Sequence, residues 1–168
     1  RLFNAIVAKK QAASDYGRLF DSISVCLNKG LGCPMGSVLI GSKDFIRRSR
    51  RIRKVLGGGL RQAGYMAACG VYALENNIAR LAEDHAHAAA LAEVLSSRPF
   101  VKTVLPVETN IIIFELADGI AAKSMVAKLA EKNIRVVSMS PTRIRMVLHL
   151  DITPEKLQSA IDTLKSVE

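Results

Sequence analysis

A lysine set against a glycine-rich turn is the sharpest chemical feature of this sequence. In SVCLNKGLGCPMGSVLIG, residues 24–41, Lys29 follows an apolar run and precedes Gly30, Gly32, Pro34 and Gly36. A lysine amine becomes a nucleophile when desolvation or a neighbouring cation lowers its pKa from about 10.4, and it can then condense with a carbonyl to a Schiff base. Glycines beside it let a bulky partner approach the backbone. The same spacing also suits a plain solvated lysine, so both readings stand at this level.

Other groups invite chemistry less directly. Arg143 and Arg145 alternate with Ile144 and Met146, so on a strand both arginines share a face, and one of them suits an anionic ligand because the guanidinium fork matches a carboxylate. His149 and Asp151 end that run in a pairing that is more often structural than catalytic. His85 and His87 lie two residues apart, which on a helix separates them by about 200° and prevents joint grip on one ion, so no metal site is expected. Six of the eight residues in RRSRRIRK, 47–54, are basic, which suits a solvated or subunit-contacting helix. No aromatic residues are interleaved with them for base stacking, which argues against nucleic acid.

These groups must be positioned by the elements around them. Leu2, Phe3, Ile6 and Val7 have helical spacing, predicting a first helix over 2–13 that ends near SDYG. Residues 21–27 and 37–41 read as strands, with Lys29 on the turn between them. Ser42 caps a helix that carries Asp44 in its first turn and runs to about Leu56, where GGG at 57–59 stops it. Two alanine-rich helices are expected at 61–77 and 78–97. The pattern changes at SSRPF, 96–100. Two strands then lie within 101–116, a helix at 120–132, strands in IRVVSM and RIRMVLHL, and a last helix opened by Thr153 and Pro154. A domain boundary is therefore expected between about 97 and 98, with a small two-layer α/β domain after it.

Length and composition bound the rest. A chain of 168 residues can bury a core, and its apolar runs are too short to cross a bilayer. Cys26, Cys33 and Cys69 form no CxxC pair and argue against a disulfide framework, so a reducing cytoplasm is the expected setting. The formal charge of +9 owes much to the run at 47–54. The first residue is Arg1, and RLFNAIVAKKQAA lacks the h-region of a signal peptide, so the chain is expected to be a piece of something longer.

The residues DSISVCLNKGLGCPMGSVLIGS and KVLGGGLRQAGYMAACGVYALENNIARLAEDHAHAAALAE, with RLFNA at 1–5, ETN at 108–110 and RMVLHLD at 145–151, closely resemble the low-specificity L-threonine aldolases. Those are pyridoxal 5'-phosphate enzymes of the aspartate aminotransferase fold type. The resemblance covers essentially the whole chain. It implies the C-terminal part of a fold type I (pyridoxal-phosphate-dependent transferase-like) large domain, residues 1–97, joined to a small C-terminal α/β domain, residues 98–168. In the family an Asp-Gly-Ala usually precedes the RLFNA segment, and a phosphate loop and a ring-stacking histidine lie further upstream. The resemblance is thus to the C-terminal half, which implies dependence on a missing N-terminal half.

What the resemblance implies about residues is specific. Lys29 matches the lysine that forms the Schiff base with pyridoxal phosphate. Arg1 matches an arginine near the cofactor's phenolic oxygen and the substrate carboxylate, and Arg145 matches the arginine that grips that carboxylate. Lys54 and Arg61 match basic residues near the phosphate, Arg61 reaching from a neighbouring subunit of a homodimer or homotetramer. The expected reaction is retro-aldol cleavage of a β-hydroxy-α-amino acid, threonine or allo-threonine, to glycine and acetaldehyde. Asn28 stands where the family often has serine, and Val147 to His149 where it often has VTH. Another pyridoxal-phosphate lyase of β-substituted amino acids is the alternative within the fold, and a noncatalytic basic module binding nucleic acid or protein is the alternative outside it.

Overall fold

A computed structural model describes residues 1–167. The chain forms two compact units, the first from Arg1 to Leu81 and the second from Ala82 onward.

The first unit opens with α1 (Leu2–Lys9) and a short α2 (Ala13–Gly17). The single helix expected over 2–13 is broken because Lys10 takes a left-handed φ of 52° and its N–H turns back to the carbonyls of Ile6 and Val7, closing α1. Strands β1 (Ser22–Cys26) and β2 (Ser37–Gly41) pair antiparallel, with Cys26 opposite Ser37 at the loop end. Helix α3 (Lys43–Val55) starts where the Ser42 hydroxyl accepts the Phe45 N–H at 3.3 Å, and Asp44 in its first turn pairs with Arg47 at 2.9 Å. No side chain of α3 is buried, so its basic residues ring a solvated helix. Helix α4 (Gly64–Asn76) follows the glycine loop. The core of this unit is small: Leu27, Leu31, Cys33, Ala73 and Leu81 are buried together, with Phe3, Val7 and Ile78 packed against them.

The second unit contains α5 (Leu81–Ser96, from its second residue), β3 (Val101–Val104), β4 (Ile111–Leu116), α6 (Ala122–Glu131), β5 (Val137–Ser138), β6 (Arg143–Val147) and α7 (Pro154–Ser166). Its strands form one antiparallel sheet in the order β3-β4-β6-β5. Alternation decides the faces. Ile112, Phe114 and Leu116 of β4 and Ile144 and Met146 of β6 enter one core with Leu91 and Leu95 of α5, Leu129 of α6 and Leu164 of α7. The other face of β6 carries Arg143, Arg145 and Val147.

Two expectations are corrected here. The two units divide between Leu81 and Ala82, at the start of α5 and not near 97, because Ala88, Leu91, Ala92 and Leu95 all enter the second core. Of IRVVSM only Val137 and Ser138 pair as a strand, since Asn133 turns with φ 63° and residues 134–136 run in without ladder bonds. No helix among the described residues is long and apolar enough to cross a membrane.

Phe114 is fully buried at the centre of the sheet's core face. Phe114→Ala should therefore destabilise the second unit by roughly 3–5 kcal/mol, read as a fall in urea midpoint, and a change below about 1 kcal/mol would contradict this packing.

Candidate active site

Lys29 lies on the loop between β1 and β2, and the loop is held rather than loose. Leu27 and Leu31 on either side are buried, while Asn28 and Lys29 between them are exposed. The Leu27 N–H donates to the Gly36 carbonyl at 3.0 Å and the Gly32 N–H to the Lys29 carbonyl at 2.9 Å, so the backbone around the lysine closes on itself. Asn77 ties the loop to the end of α4 by donating to the Leu31 carbonyl at 2.8 Å. Cys33 is a buried thiol directed at the Cys69 carbonyl, 3.5 Å away, and burial pushes its pKa up.

The glycines serve this anchoring. A Cβ on Gly30 would stand 2.7 Å from the buried Asn4 amide nitrogen and 3.1 Å from Leu81, so only glycine lets the lysine turn rest on α1. Gly32 and Gly36 take φ values of 74° and 108°, which a side chain would resist.

Arg1 stands at the start of α1, directly ahead of the helix on which the turn rests. Gly30, next to Lys29, packs on Asn4, three residues from Arg1, so Arg1 and Lys29 lie in the same part of the first unit. A third residue there escaped the sequence reading. The Cys26 thiol is lowered in pKa first by a hydrogen bond from Ser37, whose hydroxyl lies 3.5 Å from the sulfur, and next by one from Lys29. The register of the hairpin is the signal that finds it, because Cys26 and Ser37 are cross-strand partners.

Lys54 and Arg61 belong to another part of the first unit. Lys54 closes α3, its carbonyl accepting the Gly57 N–H at 3.1 Å, and a Cβ on Gly59 would come within 3.1 Å of its side chain. Arg61 opens the turn before α4, followed by Gln62 at φ 50°. Both side chains are exposed, and neither forms a hydrogen bond or ion pair among the described residues. Arg1 and Lys29 thus lie in one part of the first unit, and Lys54 and Arg61 lie on the two sides of the glycine loop.

Arg145 lies in the second unit at the centre of β6, with Ile113 opposite on β4 and Val137 opposite on β5. Its Nε is buried and has no hydrogen-bond partner among the described residues. A buried guanidinium nitrogen without an acceptor is costly, and a carboxylate would satisfy it. Arg143, one pleat along, is already engaged by Glu115 at 3.4 Å. His149 and Asp151 pair with each other at 3.3 Å on the surface.

The beta-eliminating lyase family matches residues 1–119 of this chain. The chain belongs to the beta-eliminating lyase family. It is 42% identical over 157 residues to the low specificity L-threonine aldolase of Escherichia coli K12, a match that covers 94% of this chain and 46% of that protein. This beta-eliminating lyase chain accordingly spans about half the length of the curated relatives it matches. Among solved structures it superimposes on a putative aromatic amino acid beta-eliminating lyase/threonine aldolase from Exiguobacterium with TM-score 0.78 and 21% identity, covering 98% of this chain and 50% of the other. A putative L-allo-threonine aldolase from Listeria monocytogenes gives TM-score 0.75 and 23% identity, with coverages of 98% and 49%. The resemblance and the fold type I assignment read from the sequence both hold.

Two thiols of this lyase chain should separate in a simple measurement. Cys26 is lowered and Cys33 raised, so iodoacetamide at pH 8 should alkylate Cys26 first, and Ser37→Ala should slow that reaction by removing the main cause of the lowered pKa. Equal rates for the two thiols by peptide mapping would contradict the geometry.

Proposed function

We propose that this protein is an L-threonine aldolase that cleaves L-threonine or L-allo-threonine to glycine and acetaldehyde with pyridoxal 5'-phosphate. The observation that carries the reading is the anchored, glycine-cleared turn presenting Lys29, in a chain 42% identical to a low specificity L-threonine aldolase.

The residues present fit that cofactor. Lys29 is exposed and forms no ion pair among the described residues, so its amine is available to a carbonyl. A Cβ on Gly36, which shares its loop, would meet nothing within 4 Å, so that side of the loop is open. Bound there, pyridoxal phosphate would supply an aldehyde for Lys29 and an electron-accepting ring.

The chain's own groups take the remaining tasks. Arg145 donates from its unsatisfied Nε–H to the substrate carboxylate, and Arg1 serves as a cation on the Lys29 side. Holding the carboxylate fixes the direction of the Cα–Cβ bond, and orientation of this kind selects which bond breaks. Lys54 and Arg61 would hold the phosphate, Arg61 from a neighbouring subunit. Cleavage removes the β-hydroxyl proton, releases acetaldehyde and returns a proton to the glycine Cα. Cys26, which interacts with both the Lys29 amine and the Ser37 hydroxyl, steadies the amine between these events.

Assembly into a homodimer or homotetramer belongs to the same reading, since Arg61 would act from a neighbouring subunit. Free thiols at Cys26, Cys33 and Cys69 suit the cytoplasm.

In the intact protein, Lys29→Ala should abolish both threonine cleavage and the borohydride-fixed cofactor adduct, and retention of that adduct would end the assignment. Arg145→Ala should chiefly raise KM, by roughly 10- to 150-fold for a charge-assisted contact of about 1.5–3 kcal/mol, leaving bound-cofactor absorbance intact. Threonine, allo-threonine and phenylserine assayed side by side distinguish this enzyme from other lyases of the fold. Salt-dependent DNA binding without cofactor uptake would instead favour a role for the basic α3 helix.

A further inference from the structure

The second unit contains a cavity of about 360 Å³ between α7 and the turn that leaves α6, within the size range of small-molecule sites. Its floor is apolar and deeply buried, made by Leu91, Met146 and Leu148. Ile134, Ile152 and Ala160 extend the apolar lining up the walls. Ser159 and Thr163 supply hydroxyls on the α7 side.

The charge at this cavity is one-sided. Lys132, Arg135 and Lys156 line it, and no aspartate or glutamate does. Among the described residues no carboxylate pairs with any of these cations. Lys156 is positioned by donating to the Asp151 carbonyl at 2.9 Å, a neutral partner that leaves its charge uncompensated. An apolar floor beneath three unneutralised cations is complementary to a molecule with a hydrocarbon body and one anionic head.

We propose that this cavity binds a medium-chain organic carboxylate, with the alkyl body on Leu91, Met146 and Leu148 and the carboxylate among Lys132, Arg135 and Lys156. None of Lys29, Arg1, Lys54, Arg61 and Arg145 lines it, so the site is additional to the one proposed for catalysis. Its floor residue Met146 directly follows Arg145 on β6, so the site borders the strand that carries that arginine.

The test is calorimetric titration of the intact protein with octanoate, 1-octanol and octylamine. Octanoate should saturate a single site, octanol should bind at least about tenfold more weakly, and octylamine should give no saturable heat. Lys132→Glu/Lys156→Glu, at two exposed positions, should weaken octanoate about tenfold or more while leaving octanol unchanged. Ala160→Trp should fill the cavity and remove binding of both; if that variant proves unfolded by circular dichroism, the lysine pair decides alone. Absence of saturable octanoate binding, as when another segment of the protein fills the cavity, would overturn the proposal. So would octanoate affinity that the charge reversal leaves unchanged.

Discussion

The candidate catalytic lysine depends on the contact between Gly30 and α1. Because a Cβ there would collide with Asn4 and crowd Leu81, the turn can descend until Leu27 and Leu31 are buried on both sides of it. Burial of two neighbours stiffens the backbone of a residue that is itself exposed. A reactive amine needs this combination, since its attack requires access and its selectivity requires a fixed position.

The two units meet different physical demands. The second is a conventional two-layer arrangement in which sheet alternation and three helices share one core, and Arg145 projects from the sheet face opposite that core. The first buries little for its length and leaves the apolar residues of β2 and α4 exposed.

Much of the architecture was legible in residues alone. The caps at Ser42 and Thr153, the glycine stop after α3 and the alternation of β4 and β6 all act through neighbours close in sequence, where propensity and hydrogen-bonding rules apply directly. The break at Lys10 was not legible, because a lysine in the left-handed region has no signature of its own and is held there by its bonds back into α1. The domain boundary was misread for a related reason: SSRPF interrupts the helix visibly, whereas the packing of α5 into the second core depends on partners far along the chain.

For the site, the sequence by itself determined the residue types: a lysine on a glycine turn, an arginine on an alternating strand, basic residues around a glycine loop. Their family match made those types chemically specific. Only the tertiary structure decided that the Lys29 turn packs on Asn4 of α1, that Cys26 lies by both Lys29 and Ser37, and that the Nε of Arg145 is buried without an acceptor among the described residues. Those are statements about distance and desolvation between residues remote in sequence. Spacing along the chain carries no measure of either until the backbone has folded.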